Sequence, residues 1–91
     1  MTYIINGQVY IGRSFQTMTV AIEGEALRLL PPDAVLPEDA ETVDANGMKV
    51  VPGFIDVHTH GGVGVDVNGA DAEDLEKLCR FFAGNGTTSW L

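Results

Sequence analysis

The most constraining stretch of the chain is residues 52–91. There a proline-glycine turn precedes a short apolar run, a glycine-rich segment, a helical pattern and a second β-prone run. Strand, loop, helix, strand defines a βαβ unit, whose two strands are expected to be parallel neighbours joined by a right-handed crossover. Such a unit cannot cover both faces of its own sheet. The expected class is therefore α/β, and the 91 residues read as part of a larger fold.

The helix is expected in "DAEDLEKLCRFFAGNG". Leu75, Leu78, Cys79 and Phe82 fall at i, i+3, i+4 and i+7, one apolar stripe, while Glu73, Glu76, Lys77 and Arg80 can face water. Asp71 is a suitable N-cap with Asp74 three residues on, and Gly84 or Gly86 supplies the stop. Cys79 is the single cysteine, so no internal disulfide can form, and its apolar neighbours predict a buried structural thiol.

Residues 1 to about 50 have a different grammar. Hairpins are expected at Asn6-Gly7, around Glu23-Gly24-Glu25 and at Asn46-Gly47, because two-residue turns favour residues that tolerate positive φ. "LPPDAVLPEDAE", with three prolines and four acids, predicts a surface loop between the second and third. This segment is expected to be antiparallel β, part of a small sandwich. The domain organisation that follows is 1–52 for the β portion and 53–91 for the start of a second domain.

Charge narrows the partners. Five Lys plus Arg against thirteen Asp plus Glu give a net charge of −8, with no basic cluster to neutralise phosphates, so neither nucleic acid nor an anionic membrane is expected. The N-terminus lacks a basic segment followed by an apolar one, and no run approaches the ~20 apolar residues of a membrane span. A soluble, cytoplasmic protein is expected.

The chemistry sits in "VVPGFIDVHTHGG", residues 50–62. Alternation along a strand places Phe54, Asp56, His58 and His60 on one face and Ile55, Val57 and Thr59 on the other. The histidine Cα atoms are then about 7 Å apart, close enough for two imidazoles to converge on one metal ion. An isolated His-x-His is often just the polar end of a strand. Here the strand start, the glycines and the βαβ context favour a site at the C-terminal end of the strand, where parallel α/β folds place their chemistry.

Catalytic zinc sites usually carry three protein ligands, and the sequence holds no third histidine. Asp56 points the same way from deeper in the strand and is given a supporting role. Asp66 could reach the mouth of the site or stabilise the loop. Gly61, Gly62 and Gly64 permit close backbone approach and are read as a substrate loop. The pattern is not GxGxxG, so no dinucleotide is expected.

"VVPGFIDVHTHGGVGVDV" resembles the first barrel strand of the amidohydrolase superfamily, and the continuation through "GTTSWL" is most similar to the N-acetylglucosamine-6-phosphate deacetylases. The resemblance spans roughly residues 44–91, and the preceding hairpins fit the small β domain that leads into the (β/α)8 TIM barrel of that superfamily. It implies that His58 and His60 ligate a divalent ion, Zn or Fe, one or two per complete site. The ion would polarise an acetamide carbonyl and activate water, giving glucosamine 6-phosphate and acetate from an amino-sugar phosphate substrate.

In that family the glutamate ligand, the further histidines, the catalytic aspartate and the phosphate-binding residues lie downstream of position 91. A complete barrel needs about 250 residues. The expectation is thus an N-terminal fragment, with no catalytic residue of its own, inactive alone, of an enzyme that is a homodimer at full length. The rival readings are another amidohydrolase, of the D-aminoacylase, dihydroorotase or imidazolonepropionase type, and a non-catalytic β-rich binding module.

Overall fold

The computed structural model describes all residues from Met1 to Leu91. The structure is mixed α/β, mostly strands with one α-helix, and divides into two compact units, Met1–Val51 and Pro52–Leu91. No helix is long and apolar enough to cross a membrane.

The first unit is one five-stranded sheet. Its strands are β1 (Thr2–Ile11), β2 (Ser14–Glu23), β3 (Ala26–Leu30), β4 (Glu41–Asp44) and β5 (Lys49–Val50). Their order is β3-β2-β1-β4, with β5 also paired to β1. Central β1 and β2 bury Tyr3, Val9, Thr19, Val20 and Ala21, all at most 8% exposed. The expected turn at Gly24 forms: Glu23 pairs with Ala26 across it, and Gly24 takes a φ of 59°.

Two expectations for this unit are corrected. Asn6-Gly7 is not a hairpin, because β1 runs straight through it and turns back only at Gly12-Arg13. The left-handed φ of Asn6, 56°, serves a bulge in β1 instead, where the register with β2 shifts between Ile4 and Gly7. The segment is also not all antiparallel. Strands β4 and β5 both run parallel to β1, so the Asn46-Gly47 turn separates two strands that point the same way.

The physical reason is the connection before β4. The proline-rich segment turns twice, Ala34 N–H donating to Pro31 O at 3.1 Å and Ala40 N–H to Pro37 O at 3.0 Å. A connection of that length can carry the chain back to start a parallel strand, which a two-residue turn cannot do.

The second unit contains β6 (Phe54–Asp56), β7 (Gly61–Gly62), β8 (Val65–Asp66), α1 (Ala72–Gly84) and β9 (Thr87–Trp90). Strands β6 and β9 pair in parallel, as the βαβ pattern predicts. Gly53 stands just before this pairing, where a Cβ would overlap the Thr88 side chain of β9.

Helix α1 starts where expected. Asp71 Oδ1 accepts the Asp74 N–H at 2.8 Å and Asp74 Oδ2 accepts the Asp71 N–H at 3.3 Å, a reciprocal capping box. Asn85 is the C-cap, and Gly86 follows with a φ of 90°, the left-handed residue that ends the helix. Leu78 is fully buried, and Phe82 meets Trp90 of β9 with ring centroids 5.7 Å apart.

Cys79 is exposed, which corrects the expectation of a buried thiol. The helix packs on β9 and β8; Leu78 is buried and Leu75 and Phe82 are half-buried, and position 79 falls outside that stripe. Ile55 in β6 and Val57 just after it are 69% and 73% exposed within residues 1–91.

Replacing Asp71 with alanine is expected to destabilise the protein by about 1 kcal/mol, since it leaves an N-terminal N–H of α1 without a partner. Urea unfolding checks this, with Asp71→Asn losing much less because an amide oxygen still caps.

Candidate functional site

The strand expected over residues 54–60 stops at Asp56. The cause is local: Asp56 Oδ1 accepts the His58 N–H at 3.1 Å, and this side-chain turn draws the backbone out of the ladder. The strand direction is nonetheless held. Leu91 N–H donates to Asp56 O at 3.0 Å, and Thr59 N–H donates to Leu91 O at 2.9 Å, so the segment bearing the histidines stays alongside the end of β9.

Both imidazoles are exposed and face each other. His58 Nε2 and His60 Nε2 are 3.2 Å apart, with ring centroids at 4.9 Å and planes at 85°. With one Nε2 protonated, the pair closes a hydrogen bond. With neither protonated, both nitrogens present a lone pair, 3.2 Å apart. Two nitrogens bound to a tetrahedral Zn at ~2.0–2.1 Å would be separated by about 3.3–3.4 Å. The donor set and its spacing therefore fit two ligands of one ion.

No third His, Cys, Asp or Glu joins the pair. The contact of Asp56 with this segment is the bond its carboxylate accepts from the His58 N–H. Asp66 Oδ1 accepts the Asn68 N–H at 3.0 Å and caps the 3-10 turn Val67–Gly69.

The glycines form a hairpin that the sequence reasoning missed. Strands β7 and β8 pair Gly61 with Asp66 and Gly62 with Val65 around a tight turn, in which Val63 has φ 54° and Gly64 φ 78°. A β-branched residue at positive φ gives no local signal for a turn. Gly61 has φ 136°, and a Cβ there would overlap Val65 O, so its missing side chain is used to close the hairpin. Gly62 lies over Leu78 and Phe81 of α1, and Gly64 is open to solvent.

Thr59 is the other residue missed. Its hydroxyl accepts the Gly61 N–H at 3.2 Å and donates to Gly61 O at 3.3 Å, and His60 O accepts the Val67 N–H at 2.9 Å. A threonine two residues before a glycine was the available signal.

A parallel β6-α1-β9 unit thus carries two facing imidazoles just beyond the end of its first strand. The chain belongs to the amidohydrolase family, whose model matches residues 41–89, more than half of its length.

Among its relatives is the N-acetylgalactosamine-6-phosphate deacetylase of Escherichia coli, 36% identical over 58 residues, which cover 64% of this chain and 15% of that protein. The dihydroorotase of Mycobacterium tuberculosis is 32% identical over 60 residues, covering 66% of this chain and 14% of that protein. The crystal structure of N-acetylglucosamine-6-phosphate deacetylase from Pasteurella multocida superposes with a TM-score of 0.86 at 26% identity over 99% of this chain and 24% of that one. A D-hydantoinase from Bacillus sp. AR9 matches with a TM-score of 0.56 at 34% identity, over 66% of this chain and 13% of that one. The chain thus spans about a seventh of the length of these curated relatives and a quarter of that deacetylase.

Proposed function

We propose that residues 1–91 are the N-terminal part of a metal-dependent amide hydrolase that releases acetate from an N-acetylated amino-sugar phosphate. The observation that carries this reading is the likeness to the Pasteurella multocida deacetylase, which extends over both units at a TM-score of 0.86. The hydantoinase match reaches only 66% of the chain. On this reading residues 1–52 belong to a small β-sandwich domain. Residues 53–91 supply the first strand, first helix and start of the second strand of a (β/α)8 barrel, and the full-length protein is a cytoplasmic homodimer.

His58 and His60 would hold a divalent ion, Zn or Fe, through their Nε2 atoms. When bound, such an ion supplies Lewis-acid polarisation of a carbonyl and lowers the pKa of a water. Asp56 holds the His58 backbone and Thr59 the peptide after His60, so the imidazoles project from an anchored segment. The pair accounts for two donors, and the remaining ligands, the general base and the phosphate contacts are assigned to parts of the protein outside residues 1–91. The substrate-loop role of Gly61, Gly62 and Gly64 rests on their following the histidines directly.

Acetate release tests the substrate. The full-length protein is expected to liberate acetate from N-acetylglucosamine 6-phosphate or its galactosamine epimer. The dihydroorotase and hydantoinase relatives favour a second reading, hydrolysis of a cyclic amide. Ring opening of dihydroorotate or a hydantoin, with no acetate from either sugar phosphate, would transfer the assignment to that class.

A further inference from the structure

Each histidine of the pair follows a side chain that bonds to backbone two residues ahead: Asp56 to the His58 N–H, and Thr59 to the Gly61 N–H. The second of these is the tighter device, because the Thr59 hydroxyl also donates to Gly61 O at 3.3 Å and so grips the residue after His60 on both sides. His60 lies between anchored peptides. Thr59 N–H is bonded to Leu91 O at 2.9 Å, and His60 O accepts from Val67 N–H at 2.9 Å.

We propose that Thr59 is a positioning residue for metal capture, its hydroxyl setting the backbone of His60 so that His60 Nε2 faces His58 Nε2. The proposal rests on the reading of the two histidines as ligands. A ligand held in its binding geometry before the ion arrives loses little freedom on binding, and partners that orient a ligating histidine typically contribute about 10–100-fold to metal affinity. The hydroxyl also couples the site to the β7–β8 hairpin, since the residue it grips is the first of β7.

The test compares Thr59→Val, which keeps the shape and removes the hydroxyl, with Thr59→Ser, which keeps the hydroxyl. In the full-length protein, Co(II) affinity is measured by competition with a chelator, and the visible absorption band of bound Co(II) reports ligand geometry. Thr59→Val is expected to weaken Co(II) binding about tenfold or more and to alter the band, while Thr59→Ser retains both. Wild-type affinity in Thr59→Val, or equal losses in the two variants, would overturn the proposal and leave the histidine assignment standing. Undiminished Co(II) binding in the His58→Ala/His60→Ala protein would remove the ligand assignment itself and the proposal with it.

Discussion

The full-length protein carrying both His58→Ala and His60→Ala is expected to lose its divalent ion by orders of magnitude in affinity, read as metal content by elemental analysis after dialysis. The expectation comes from the geometry of the pair. Two exposed Nε2 atoms 3.2 Å apart suit a shared ion, and within residues 1–91 no other His, Cys, Asp or Glu joins them. Removing one ligand of a multidentate site forfeits a bond and also the arrangement that made the next bond cheap to form. Each single variant should therefore lose most of what the double variant loses. Equal metal content in the double variant and the wild type would sink the assignment, and the pair would then be a histidine-histidine hydrogen bond at the end of a strand.

The second large effect is on stability. Gly61→Ala is expected to destabilise the protein by about 3 kcal/mol or more, because two costs coincide. A φ of 136° is a backbone conformation that L side chains rarely adopt, and the added methyl would overlap Val65 O, a backbone atom of the paired strand. Relief requires opening the Gly61–Asp66 pair and the hydrogen bonds between Thr59 and Gly61. Gly64→Ala is the control. It too lies at positive φ, 78°, but nothing approaches within 4 Å, so it should cost only about 1 kcal/mol of backbone strain. Denaturant midpoints separate the two. Equal losses would mean that the hairpin tolerates the methyl and that its closure does not depend on Gly61.

Elements governed by neighbouring residues were legible. The capping box of α1 needs only Asp71 and Asp74, the end of α1 needs only Gly86, and the parallel pairing of β6 with β9 follows from having a helix between two strands. Elements governed by distant pairing were not. Asn6-Gly7 has the chemistry of a turn, yet the same tolerance of positive φ serves a bulge once β4 and β5 lie alongside β1. The true turn holds Arg13 at φ 76°, a residue with no turn preference of its own. At the site, the two histidines were readable from alternation, although the strand ends at Asp56, before either of them. What alternation could not supply is the pair of side-chain hydrogen bonds that aims them, because these arise where the regular strand has stopped.

The bulge in β1 has a consequence for the whole edge of its sheet. Thr2 pairs with Glu41, 39 positions later, but Gln8 pairs with Lys49, 41 positions later, so the outer path through β4 and β5 is two residues longer than the stretch of β1 it accompanies. Strand β1 in turn carries an extra residue against β2 between Ile4 and Gly7. The paths therefore lengthen stepwise from β2 to β1 to the outer β4 and β5. The extra length is spent on bonds directed inward: Ala45 N–H donates to Ile5 O, Gly47 N–H to Asn6 O, and the Asn6 side-chain amide to Asp44 Oδ1. An outer path split into two short strands, four and two residues long, offers no long continuous ladder of free backbone groups, which makes it a poor template for an unwanted strand from another molecule.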